Sequence, residues 1–127
     1  MPFDWNDFLS LAEELAQRVD NAARRSAISR AYYSAFNQAY ARAEATAGPR
    51  PNDQPFHSWC WRTYTSTQDA RCRRIGIEGE RIKRLRVKAD YDRSDNPRIE
   101  DEVRRALEEA RRYPAILTAL DPRHPRP

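Results

Sequence analysis

A chain of 127 residues is large enough for one domain with its own core, and a 33% share of charged residues with only 3 glycines argues against a turn-rich β fold. No stretch approaches the roughly 20 apolar residues of a membrane span, and MPFDWNDF lacks the basic start and apolar run of a secretion signal. The net charge of +4 and pI near 9.4 permit contact with phosphates without establishing it, because 19 acidic residues are interleaved with the basic ones. The fold class expected is therefore all-α, in a cytoplasmic protein with no membrane partner. Its two cysteines, Cys60 and Cys72, are expected in the reduced state.

Trp5, Phe8, Leu9, Ala12, Leu15, Ala16 and Val19 recur at helical spacing, which predicts a first helix over residues 5–19 with Asp4 as N-cap. A second helix is expected over 22–45. Ile28, Tyr32, Ala35, Phe36, Ala39 and Ala43 form its core stripe, and Tyr33 and Tyr40 widen the apolar surface as in a central helix or one that meets a second chain. Arg30 and Asn37 lie beyond Tyr33; this face is either solvated or an interface or pocket wall made by Arg30, Tyr33 and Asn37. TAGPRPNDQPF at 46–56 is the clearest loop.

A third helical region begins near His57 with Trp59, Trp61 and Tyr64, pauses at Ser66–Asp69 and runs on from Ala70 to Ala89. The aromatics fit core or interface better than a base-stacking platform. SDNPRIEDE gives the last helix its start, with Asn96 as N-cap, Pro97 in the first turn and three carboxylates following. Pro114 is expected to bend or restart this helix, one domain is expected over residues 1–120, and the proline-rich tail, 121–127, is expected to be disordered. His57, Cys60, Cys72 and His124 do not form a paired ligand motif, and there is no glycine-rich phosphate loop, so neither metal nor cofactor is expected.

One residue breaks the pattern. With Ile82 set at zero and about 100° per residue, Arg86 falls near +40°, inside the stripe of Ile75, Leu85 and Ala89, and Asp90 follows near +80°. Arg81, Lys83, Arg84 and Lys88 point outwards as ordinary solvated charges. An inward arginine cannot lose its proton, so Arg86 needs an anion: Asp90 one turn on, a carboxylate of another helix, or a phosphate arriving in a groove.

The segments RSAISRAYYSAFNQAYARA (25–43) and LRVKADYD (85–92) together resemble the HEPN superfamily of small bacterial helical domains, in its compact branch with an Arg-x-x-Ala-Asp-Tyr ending. His57 with its following aromatics and RRIG at 73–76 add to the likeness, which runs over about residues 5–120. It implies a four-helix up-and-down bundle, often with a short extra helix, and a homodimer in which motifs of two chains meet in one cleft. It also implies RNA as substrate, since many such domains are metal-independent ribonucleases of toxin–antitoxin and antiviral defence systems, while others accompany a nucleotidyltransferase antitoxin without cutting RNA. Where the nuclease motif ends in histidine, five residues after its arginine, this chain has Tyr91, a poor base at neutral pH with a reference pKa near 10. On an ideal helix Tyr91 lies near 180°, away from Arg86. Arg50 and His57 share the motif spacing but straddle the proline loop. The candidate site is therefore Arg86 on phosphate, with Asp90, Tyr91 and His57 orienting it. A non-catalytic dimeric module and a plain structural ion-pair network remain the alternatives.

Overall fold

The structure is a computed structural model describing residues 2–126. It consists of five helices: α1 (Asn6–Ala16), α2 (Asn21–Ala47), α3 (Phe56–Thr65), α4 (Ala70–Tyr91) and α5 (Ile99–Thr118), with no strand among the described residues. The all-α bundle is thus as expected, and the Ser66–Asp69 pause does separate two helices.

The boundaries show which local signals act. Asp4 accepts the Asn6 N–H at 2.9 Å and turns the chain into α1. That helix ends at Ala16, and Val19, expected in its apolar stripe, is 81% exposed. The reason is Asp20, whose carboxylate accepts the Ala23 N–H at 3.2 Å and starts α2 immediately afterwards. Asp69 does the same for α4 through the Cys72 N–H at 2.9 Å. Asn96 forms a turn, not the cap itself: its Oδ1 accepts the Arg98 N–H at 3.0 Å, and α5 begins at Ile99. Pro114 lies within α5, which continues through it to Thr118.

The long α2 touches all four other helices. Its alanines at 23, 27, 31, 35, 39 and 43 are all buried and fall at every fourth residue, a smooth ridge that lets neighbouring backbones approach. Bulk comes from Trp61, Tyr32, Tyr64 and Tyr113, all fully buried. Their polar ends are satisfied: the Tyr64 hydroxyl donates to Ala39 O at 2.8 Å and that of Tyr113 to Ile75 O at 3.3 Å. The short α3 lies against α4 at two glycines. A Cβ at Gly76 would come within 2.8 Å of the Trp61 carbonyl, and one at Gly79 would enter the Trp61 indole.

The tail corrects the expectation of disorder for residues 121–126; Pro127 lies outside the described residues. Arg42 of α2 donates to Leu117 O at 2.8 Å, Asp121 O at 2.9 Å and His124 O at 2.8 Å. Thr46 donates to Pro125 O at 2.5 Å, and Pro125 is fully buried. Prolines exclude a helix there, but their carbonyls remain acceptors, and a single guanidinium gathers them. Arg25 acts similarly at the other end of α2, donating to Ala89 O at 3.1 Å, to Asp92 O and to Ser94 O at 2.8 Å. It thereby caps the C-terminus of α4 and fixes the last turn that carries Asp90.

Candidate functional site

Where α2, α3 and α4 meet, α4 turns Arg86 inwards, as the helical angle predicts, and its side chain is only 9% exposed. Tyr32 and Tyr33 come from consecutive positions of α2. Their rings lie edge to face, and the Arg86 guanidinium carbon sits 5.4 Å from the centroid of each. The aromatic faces partly offset the burial of charge. Ionic partners are few: Arg86 Nη1 reaches Asp90 Oδ2 only at 3.5 Å, and its buried Nε has no hydrogen-bond partner. Asp90 is itself held loosely, accepting from Ser29 Oγ at 3.4 Å. Both contacts lie beyond the usual 2.7–3.2 Å range of a protein hydrogen bond.

Arg25 and Arg50 also leave a buried Nε unpaired, but their terminal nitrogens reach backbone carbonyls. Arg50 stacks 3.7 Å from the Phe56 ring and organises the 48–55 loop, so it and His57 do not form a motif pair. Arg86 differs from both in having only the long contact to Asp90.

His57 shares the aromatic surroundings of Arg86. The Tyr32 hydroxyl lies 2.6 Å from His57 Nδ1 and accepts the Trp61 indole N–H at 3.0 Å. Burial raises the Tyr32 pKa well above the ordinary phenol value, so the hydroxyl keeps its proton. Since that buried proton needs an acceptor, we assign it to His57 Nδ1, which leaves the imidazole proton on Nε2. The ring stacks on Phe36 with centroids 4.2 Å apart. Burial first, then the positive charges of Arg86 and Lys83, push the His57 pKa down to about 4. The imidazole is neutral at pH 7.

Tyr91 is not part of this arrangement. Because α4 stays helical through residue 91, Tyr91 projects from the opposite side of the helix and is 71% exposed. The Arg30, Tyr33 and Asn37 face is half-buried within the chain itself. The Arg30 guanidinium lies 4.8 Å from the Phe8 ring and 5.3 Å from that of Tyr33, and Asn37 donates to Tyr33 O at 2.8 Å. Tyr33 thus stands between two guanidinium groups, those of Arg30 and Arg86. The structure brings Arg86, Asp90, His57, Tyr33 and Arg30 into one neighbourhood, keeps Asn37 at its edge as a brace for the Tyr33 backbone, and leaves Tyr91 outside. Ser29, Tyr32 and Lys83 belong to the site although the sequence marks them only as a helix position, a core residue and a solvated charge.

Chemically, the site is a buried guanidinium set among aromatic rings where α2, α3 and α4 meet. Arg86 and Arg30 outweigh Asp90 in charge, and the site offers N–H donors to an anion. Among the described residues no three of His, Cys, Asp and Glu gather as metal ligands, and no helix is long and apolar enough to cross a membrane. No family model, curated protein or solved structure matches this chain.

Proposed function

We propose that this protein is a HEPN-like module, derived from the metal-independent ribonucleases of toxin and defence systems, that holds RNA by a backbone phosphate at Arg86 and does not cleave it. The observation that carries the reading is the incomplete pairing of Arg86, whose side chain is 9% exposed with one 3.5 Å contact to a carboxylate. A guanidinium cannot deprotonate to relieve such burial, and a phosphate oxygen supplies the missing acceptors. Cleavage by this route needs a base for the 2′-hydroxyl and an acid for the leaving oxygen. Neutral His57, whose Nδ1 is engaged by Tyr32, fills neither role, Tyr91 faces away, and Asp90 is left as a carboxylate with no acid to act with it.

Incubation of the purified protein with total RNA and tRNA in the absence of metal tests this. Wild type binds with marked salt dependence, Arg86→Ala binds about tenfold more weakly, equivalent to roughly 1.4 kcal/mol, and both leave the RNA intact. Equal binding by both removes the phosphate role of Arg86; cleavage by wild type alone restores the nuclease.

The same lack of an acid–base pair favours a second reading, a non-catalytic module that works with a nucleotidyltransferase or another toxin–antitoxin or defence partner. Copurification with the product of the adjacent gene supports it; emergence of the chain alone counts against it.

A further inference from the structure

The first turns of α4 and the end of α5 do not close on each other. Tyr113 of α5 stands between them: its ring is fully buried, and its hydroxyl donates to Ile75 O of α4 at 3.3 Å, which props the two helices apart. Beside it runs a groove of about 370 Å³, within the size range of small-ligand sites. Its apolar lining is aliphatic, from Ile75, Ile116 and Ala119.

The charged lining is one-sided. Arg71, Arg74 and Arg112 face a single carboxylate, Glu78, so the groove has an excess of positive charge. Glu78 is 8% exposed, and its Oε1 accepts the Arg74 Nε–H at 3.1 Å. Arg112 Nη2, from the other helix, approaches the same oxygen only at 3.8 Å, beyond hydrogen-bond range. Two guanidinium groups therefore converge on one point from opposite walls, and Glu78 takes up one N–H between them. Each guanidinium carries five such donors, so both keep a face open for a second carboxylate. Arg71 adds its charge at the other end, where it reaches Ala119 O at 3.4 Å.

The lining selects its occupant. An aliphatic floor offers a nucleobase neither a ring to stack on nor an edge to pair with, whereas it suits an alkyl chain. The converging arginines suit a carboxylate at the end of that chain. Residues 71–78 span about 10 Å at 1.5 Å per residue, the length of a medium acyl chain. We infer that the groove between α4 and α5 binds a free medium-chain acyl carboxylate, its chain on Ile75, Ile116 and Ala119 and its carboxylate between Arg74 and Arg112. None of these residues belongs to the Arg86 site, so the inference does not rest on the RNA-binding reading.

Octanoate is the probe, titrated into the purified protein by isothermal calorimetry and followed by amide shifts in NMR spectra. It binds with a Kd on the order of 0.1 mM, and the shifts gather at residues 71–78 and 112–119. Methyl octanoate, which lacks the charge, and acetate, which lacks the chain, each bind about tenfold more weakly or worse. The R74Q/R112Q variant weakens octanoate binding by about the same factor, and Ile116→Trp, which fills the groove, abolishes it. Far-UV circular dichroism and melting check that each variant is folded. Arg86→Ala binds octanoate as wild type does. Failure to saturate at about fifty times the expected Kd overturns the inference. So does equal binding of acetate, which marks an adventitious anion only, equal binding of the ester, or a folded R74Q/R112Q variant that binds octanoate unchanged. Loss of octanoate binding in Arg86→Ala overturns it too, by moving the carboxylate to the Arg86 site.

Discussion

Arg42 and Arg86 are both drawn in from the surface on long helices, and they differ in what their guanidinium groups touch. At Arg42 all three nitrogens donate to carbonyl oxygens at 2.8–2.9 Å, and the tail is tied to α2. At Arg86 the surroundings are two aromatic rings and one carboxylate at 3.5 Å. The comparison teaches how to tell a structural arginine from a receptive one. Arg42 is half-buried and Arg86 buried, but what decides their roles is the count and length of the contacts. A satisfied guanidinium holds the fold, whereas an unsatisfied one costs stability and is ready for an anion.

The sharpest way to break the comparison is to substitute each arginine by methionine, which keeps the alkyl packing. Arg42→Met removes three charge-assisted hydrogen bonds and frees the tail, so urea unfolding is expected to show a loss of about 3 kcal/mol. Amide exchange at residues 121–126 should rise with it. An unchanged stability would mean that the tail contributes nothing.

The next effect is on pH dependence. The folded-state pKa of His57 is about 4 against 6.5 for the free side chain, so between these values the unfolded chain binds more protons than the folded one. The contribution is complete above pH 6.5 and is lost as pH falls towards 4, an amount on the order of 2 kcal/mol after allowance for partial exposure. Part of the depression comes from Arg86 and Lys83. Arg86→Met should therefore raise the His57 pKa, measurable by NMR titration of the ring, whereas Arg42→Met should leave it in place.

Smaller still is stabilisation by an anion. A short oligoribonucleotide at ten times its Kd raises wild-type stability by roughly 1.4 kcal/mol, seen as a shift in the urea midpoint. Arg42→Met should retain this gain and Arg86→Met should lose it. Without ligand, Arg86→Met is expected within about 1 kcal/mol of wild type, or above it, because a poorly paired buried charge is replaced by an apolar chain. A large loss would instead make Arg86 a structural residue like Arg42.

Legibility followed the range of each interaction. The inward turn of Arg86 was readable because a helix fixes direction residue by residue, and the same periodicity placed Tyr91 on the far side. On the far side of α4 the sequence marked Arg84 only as a solvated charge, and the exposure of Ile77, Val87 and Tyr91 beside it came from the structure. The place of His57 was not readable. Its ring is set by Tyr32, 25 residues earlier, and by Phe36, and the contact exists only because α3 crosses α2 there.

By itself, the sequence determined the helical class, the main breaks between helices and which side of α4 faces the core, since propensity, capping and periodicity act over a few residues. Only the tertiary structure decided which arginines are satisfied. The acceptors of Arg25 and Arg42 are backbone carbonyls, and a carbonyl leaves no mark in the sequence to show that a guanidinium many residues away will meet it. The same packing left Arg86 among aromatic rings with few acceptors in reach.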